Sequence, residues 1–110
     1  IISLGKPGVI SSAEIDTSHF KGNFPDFASL EGTFLKNLPK NPTEAIKRLS
    51  DLNDKDWSSL LPKTKLKADF KHYFDDQIQP LGEISHVRMR IYPDGGVSRL
   101  RLWGRQKKQT

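Results

Sequence analysis

The sequence predicts a mainly β domain of antiparallel strands with one short helical insertion, and three observations carry that prediction. Two alternating runs, residues 86–92 and 97–103, flank Pro93-Asp94-Gly95-Gly96. Proline fixes φ at the first corner of a type I turn, aspartate suits the second, and glycine accepts a left-handed position after it, so the pair reads as a β-hairpin. Residues 9–16 and 28–35 alternate with the same period of two. Only one stretch carries helix-start chemistry: Asn41 as N-cap, Pro42 at the first helical position and Glu44 to close a capping box.

In chain order, residues 1–4 suit the end of a strand, and Gly5-Lys6-Pro7-Gly8 is turn chemistry. Val9, Ser11, Ala13 and Ile15 then oppose Ile10, Ser12, Glu14 and Asp16, as on a strand. A polar and aromatic loop follows over 17–26. Ala28, Leu30 and Phe34 mark the next strand, with Ser29, Glu31 and Thr33 facing away. The helix is expected over 42–51, with Ile46 and Leu49 on one face. Trp57, Leu60, Leu61 and Pro62 suggest a packed turn, residues 71–74 a short strand, and residues 77–82 a loop. In the hairpin, Val87, Met89 and Ile91 share one face, while His86, Arg88, Arg90 and Tyr92 share the other. On its second strand, Ser98, Leu100 and Leu102 oppose Val97, Arg99, Arg101 and Trp103. One face of that hairpin is therefore apolar and the other carries up to four arginines and a histidine. Roughly five or six strands are legible, where a two-sheet sandwich needs about seven or eight. The apolar faces left open predict packing against residues outside this sequence.

At 110 residues the chain suffices for one domain with a modest core. No apolar run approaches the roughly 20 residues that span a bilayer, and no membrane partner is expected. Cysteine is absent, which rules out thiol catalysis, disulfides and Cys-based zinc sites in these residues. The net charge of +5 permits anionic partners, but the basic residues are scattered and no nucleic-acid partner is predicted. Lys63, Lys65, Lys67 and Lys71 alternate with apolar residues, as a solvated edge does. Residues 105–110 read as a polar basic tail beyond a domain of residues 1–104.

The loop Asp16-Thr17-Ser18-His19-Phe20-Lys21-Gly22-Asn23-Phe24-Pro25 concentrates chemistry after a strand end. An imidazole changes charge near neutrality, so His19 is a candidate general base or metal ligand, with Asp16 orienting it. The bland alternative is a turn in which Asp16 and Thr17 cap backbone amides and His19 packs against Phe20 and Phe24. Ser18 beside His19 is no triad, since neighbours on an extended segment point apart. The second candidate is the cationic face of His86, Arg88, Arg90, Arg99 and Arg101, where a guanidinium fork suits a small carboxylate. Its bland alternative is a solvated sheet face paired with Glu14 and Glu31. Arg88, mid-strand beside His86, is singled out as the exception. His19, His72 and His86 show no metal-ligand spacing, and no metal site is predicted.

Taken together, three segments resemble the allantoicase repeat, in the family's order. They are Gly8-Val9-Ile10 with residues 14–25 and Ser29-Leu30-Glu31; Trp57-Ser58-Ser59-Leu60-Leu61-Pro62 with Leu66, His72 and Phe74; and His86-Val87-Arg88 with residues 92–101 and Gly104. The resemblance implies a galactose-binding-like jelly-roll β-sandwich, incomplete in this segment. It implies hydrolysis of allantoate to ureidoglycolate and urea, in a cytoplasmic or peroxisomal setting. A second allantoicase repeat and a homo-oligomer are the implied partners, beside the small-molecule substrate. The family's front part, a Gly-Trp-Glu-type segment followed by arginines, is not in this sequence, and the basic ending suits the second repeat. From the chemistry of allantoate, His19 is assigned the proton transfer with Asp16 holding its tautomer as the second catalytic residue, and Asn23, His86 and Arg88 are assigned substrate binding. Cofactor use stays open, since Asp16 and His19 would also suit a divalent ion. The rival readings are a non-catalytic β-sandwich presenting Phe20, Phe24 and Phe27 to a carbohydrate or protein, and a degenerate repeat that only stabilises its partner.

Overall fold

The computed structural model describes residues 1–106 of the chain. Six strands and one α-helix are present: β1 (Ile2–Asp16), β2 (Phe27–Thr33), α1 (Pro42–Ser50), β3 (Ser58–Lys65), β4 (Lys71–Phe74), β5 (Ile84–Tyr92) and β6 (Arg99–Gln106). All pairings are antiparallel, in the order β3-β2-β5-β1-β4, with β6 also on β1. No described helix is long and apolar enough to cross a membrane.

The curl of this sheet comes from β1. Its first half pairs with β5, Ile2 opposite Val87 and Ser3 opposite His86. From Gly8 onward it pairs with β6, and Ala13 to Asp16 are also flanked by β4. Pairing is irregular between Ser3 and Gly8, where Gly5-Lys6-Pro7-Gly8 sits. The expected turn is thus a distortion inside one long strand; proline is tolerated in strands at such irregular points. Residues of both halves fill one core. Ala13 and Ile15 of β1 meet Ala28 and Leu30 of β2, Leu60 and Leu61 of β3, Phe74 of β4 and Val87 of β5.

The predicted hairpin is corrected. Strands β5 and β6 have the faces expected of them: Val87, Met89, Ile91, Leu100 and Leu102 join the core. They do not pair with each other; they pair with opposite halves of β1. The cationic face is divided as a result. Arg88 and Arg90 meet Glu31 and Asp54, while Arg101 lies 3.8 Å from Glu14. Neither Gly95 nor Gly96 has a positive φ, so the left-handed corner is not what these glycines supply.

The packed turn expected around Trp57 to Pro62 is instead strand β3. Leu60 and Leu61 are adjacent and both buried, because its pairing with β2 shifts register around Leu30. Such a bulge removes the alternation by which a strand is recognised. Pro62 is accommodated because β3 lies at the sheet edge. Phe34, expected inward, is 39% exposed just beyond β2. Strand β6 continues through Arg105 and Gln106, which pair with Val9 and Gly8, so the ordered body passes residue 104. Lys107 and Lys108 of the expected tail lie outside the described residues. Helix α1 starts as predicted, with the Asn41 side chain accepting from the Thr43 and Glu44 amides.

Candidate functional site

Three loops meet where β1 ends: residues 17–26, residues 67–70 and residues 93–98. The first is held by its own sequence and by the other two. The Asp16 carboxylate accepts from the Ser18 amide at 2.8 Å and from the Ser18 hydroxyl. These bonds, the hydroxyl first, hold the Asp16 carboxyl below its usual range. Buried Thr17 donates its hydroxyl to the Lys67 carbonyl at 2.6 Å and its amide to the Phe70 carbonyl at 2.9 Å. The His19 amide donates to the Asp69 carboxylate at 2.8 Å, and the Asp69 amide returns a bond to the Phe20 carbonyl at 3.1 Å. From the other side, the Gly96 amide donates to the Asn23 carbonyl at 2.8 Å and the Ser98 amide to the Asp16 carbonyl at 2.7 Å. The Ser98 hydroxyl donates to the Ser18 carbonyl.

This clasp presents His19 outward, exposed, at φ 72°. Few non-glycine residues adopt that backbone, and a surrounding network is what normally sustains it. Asn23 is exposed in the same loop. Asp16, His19 and Asn23 therefore share one rim, but the Asp16 carboxylate is engaged by Ser18 rather than by the His19 ring. Sequence reasoning missed Asp69 and Ser98. Their contacts span some 50 and 80 residues of sequence, and no local pattern announces such partners. His72 is structural: its Nδ1 donates to the Ile15 carbonyl at 2.9 Å and its Nε2 accepts from the Lys67 amide at 2.7 Å.

Arg88 and His86 lie away from the rim. In the β2–β5 register Tyr92 faces Phe27 beside the rim, while His86 faces Thr33 at the far end. Six residues separate them along β5, about 20 Å of strand. Arg88 sits between, on the outer sheet face. Its Nε donates to Glu31 at 3.1 Å, its Nη2 approaches Asp54 at 3.4 Å, and its guanidinium lies 4.7 Å over Trp57. Arg90 completes the cluster, reaching Glu31 at 2.9 Å and Asp54 at 2.7 Å. The Glu31 side chain is only 20% exposed. Replacing Arg88 with alanine is therefore expected to lower stability by about 1–3 kcal/mol, through half-buried Glu31 and the lost cover on Trp57. Arg88→Lys keeps the charge without the fork and should recover only part. Denaturant midpoints of the two variants check this.

The aromatic rings of the rival binding reading are half-buried. The Phe20 ring packs on Gly96, and Phe27 lies under the ammonium groups of Lys63 and Lys65, at 4.9 and 5.8 Å. Among the described residues, no group of three or more His, Asp or Glu side chains could hold a metal ion.

The family model of the allantoicase repeat matches residues 1–107. The chain belongs to the allantoicase repeat family. This allantoicase repeat is 46% identical over 105 residues to a probable allantoicase of Pseudomonas paraeruginosa, covering 96% of the chain and 30% of that relative. It is 44% identical over 104 residues to a probable allantoicase of Ralstonia nicotianae, covering 94% of the chain and 29% of the relative. Among solved structures it is similar to the allantoicase of Saccharomyces cerevisiae, with a TM-score of 0.69 and 33% identity, over 94% of this chain and 26% of that one. The repeat thus spans about 30% of the length of the curated relatives it matches. The rim loop and the Asp94-Gly95-Gly96 loop that clasps it both lie inside the matched stretch.

Proposed function

We propose that this repeat is part of an enzyme that hydrolyses allantoate to ureidoglycolate and urea. The observation that carries the reading is the family match over nearly the whole chain, together with relatives named probable allantoicase. Allantoate bears a carboxylate and two ureido groups on one carbon. Water supplies a hydroxyl to that carbon, one C–N bond breaks, and the departing ureido nitrogen gains a proton to leave as urea. In this reading the rim faces the substrate. The His19 imidazole takes a proton from the attacking water and delivers one to the leaving nitrogen. The Asn23 side-chain amide donates to a ureido carbonyl. Asp16 acts as a positioning residue: its carboxylate shapes the loop through Ser18. Arg88 would have to release Glu31 to hold a substrate carboxylate, so its assignment moves from substrate to the outer-face ion pairs.

The test is direct. The full-length protein, incubated with allantoate, is expected to release urea and ureidoglycolate in equal amounts. Urea release no faster than in a protein-free blank sinks the proposal.

A further inference from the structure

The outer face of the sheet carries a depression that the rim chemistry does not use. Its floor is Ser29, a small side chain on the middle strand of β3-β2-β5. Ser29 faces Arg90 on β5. On the β3 side the register shifts: Ala28 is opposite Thr64 but Leu30 is opposite Leu61, so Pro62 and Lys63 together oppose Ser29. Such a bulge re-aims side chains, and bulges recur beside functional sites. The space is about 290 Å³, walled by Glu31, Asp54, Lys63, Arg90 and Tyr92.

The two ends of the depression offer opposite chemistry. At one end Glu31 and Asp54 hold Arg88 and Arg90, and every bond to these carboxylates among the described residues ends on Glu31 Oε1 or Asp54 Oδ1. The second oxygens, Glu31 Oε2 and Asp54 Oδ2, are left as acceptors for N–H donors. At the other end the Lys63 ammonium lies 4.6 Å over the Tyr92 ring and 4.9 Å over Phe27. Among the described residues it pairs with no carboxylate. Ring faces attract a cation but give its N–H groups no oxygen acceptor. Between the ends, the Ser29 and Tyr92 hydroxyls lie 3.3 Å apart, a long contact from which either can turn to a ligand. Two guanidiniums and one ammonium against two carboxylates leave a single positive charge.

We propose that this depression binds a small monocarboxylate that also carries amide- or urea-type N–H groups, with its carboxylate on Lys63 and its N–H groups on Glu31 Oε2 and Asp54 Oδ2. The unbalanced positive charge selects a monoanion. A plain carboxylate would leave the two acceptor oxygens unmet, and a second negative charge would face them directly. The site is separate from the rim, since Phe27 and Tyr92 stand between the depression and the loop that carries His19. The assignment stands on this geometry and not on the hydrolytic reading.

The experiment is a calorimetric titration of the full-length protein with N-carbamoylglycine, acetate and urea, and it reads binding whether or not allantoate is turned over. N-carbamoylglycine is expected to bind more tightly than acetate, which lacks the N–H groups, and than urea, which lacks the charge. Lys63→Met keeps the stem and removes the charge, and should weaken that binding by about tenfold, the scale of one charge-assisted hydrogen bond. Lys65→Met, a neighbouring lysine outside the depression, should leave it unchanged. Asp54→Asn removes an acceptor, so the preference for N-carbamoylglycine over acetate should shrink. Lys63 and Asp54 are both exposed, so neither variant threatens the fold. Acetate binding as tightly as N-carbamoylglycine overturns the proposal, as does the absence of any binding. A probe whose binding survives Lys63→Met and is lost in His19→Asn belongs to the rim, and that result overturns it as well.

Discussion

Replacing His19 with asparagine in the full-length protein is expected to lower kcat by about two to four orders of magnitude while leaving the fold intact. General acid–base catalysis by one positioned side chain typically contributes about that much. Asparagine is the informative replacement because of the backbone. His19 sits at φ 72°, a region that asparagine tolerates better than most residues. The clasp on this residue uses main-chain atoms, the His19 amide to Asp69 and the Phe20 carbonyl from the Asp69 amide. Both survive the substitution, so the variant removes the imidazole and little else. His19→Ala adds backbone strain and should unfold earlier than His19→Asn at comparable loss of rate. Steady-state kinetics on allantoate and a melting curve for each variant make the comparison. A His19→Asn protein with near-normal kcat and KM would remove His19 from the chemistry, whatever the family performs.

The contrast between strands β5 and β3 shows what a single sequence exposes. In β5 the apolar positions 87, 89 and 91 alternate cleanly with 88, 90 and 92. Contacts follow that pattern, Val87, Met89 and Ile91 packing on the core while Arg88 and Arg90 meet Glu31 and Asp54 on the other face. In β3 a register shift buries Leu60 and Leu61 together, and the periodic signal vanishes with it. Pairing is harder still. The run Pro93-Asp94-Gly95-Gly96 is turn chemistry, and it does reverse the chain. Whether the strands beside it join each other or a third strand is decided by β1, some 80 residues earlier. Long-range partners likewise decide the roles of the polar residues. Asp16 capping Ser18 is a local bond and was legible as the bland alternative; the Glu31 and Glu14 pairings were also foreseen. The 67–70 clasp depends on a loop whose sequence neighbours say nothing about residue 19. The rim's chemistry was therefore visible and its scaffolding was not.

That scaffolding makes Gly95→Ala the structural change with the largest expected effect. The turn-type argument for this glycine fails, since its φ is not positive, and space replaces it. A Cβ on Gly95 would lie 2.4 Å from the Pro25 nitrogen and 2.5 Å from the Phe24 carbonyl carbon. Both are backbone atoms of the rim loop, which cannot rotate aside as a side chain does. The two loops must part, and the Gly96 amide bond to the Asn23 carbonyl goes with them. Overpacking of this kind costs about 1–3 kcal/mol, and at a backbone-to-backbone contact the upper end is expected. Gly22 provides the internal control: it lies in the same rim loop, and a Cβ there meets nothing within 4 Å. Gly22→Ala should therefore leave stability within about 0.5 kcal/mol. If the rim is where allantoate is processed, Gly95→Ala also loses turnover at temperatures where the body is still folded, because His19 and Asn23 ride on the displaced loop. Denaturant midpoints and turnover of the two variants decide the matter. Equal behaviour of Gly22→Ala and Gly95→Ala would show that the loops do not touch in solution, and the rim would lose its claim to be a preorganised site.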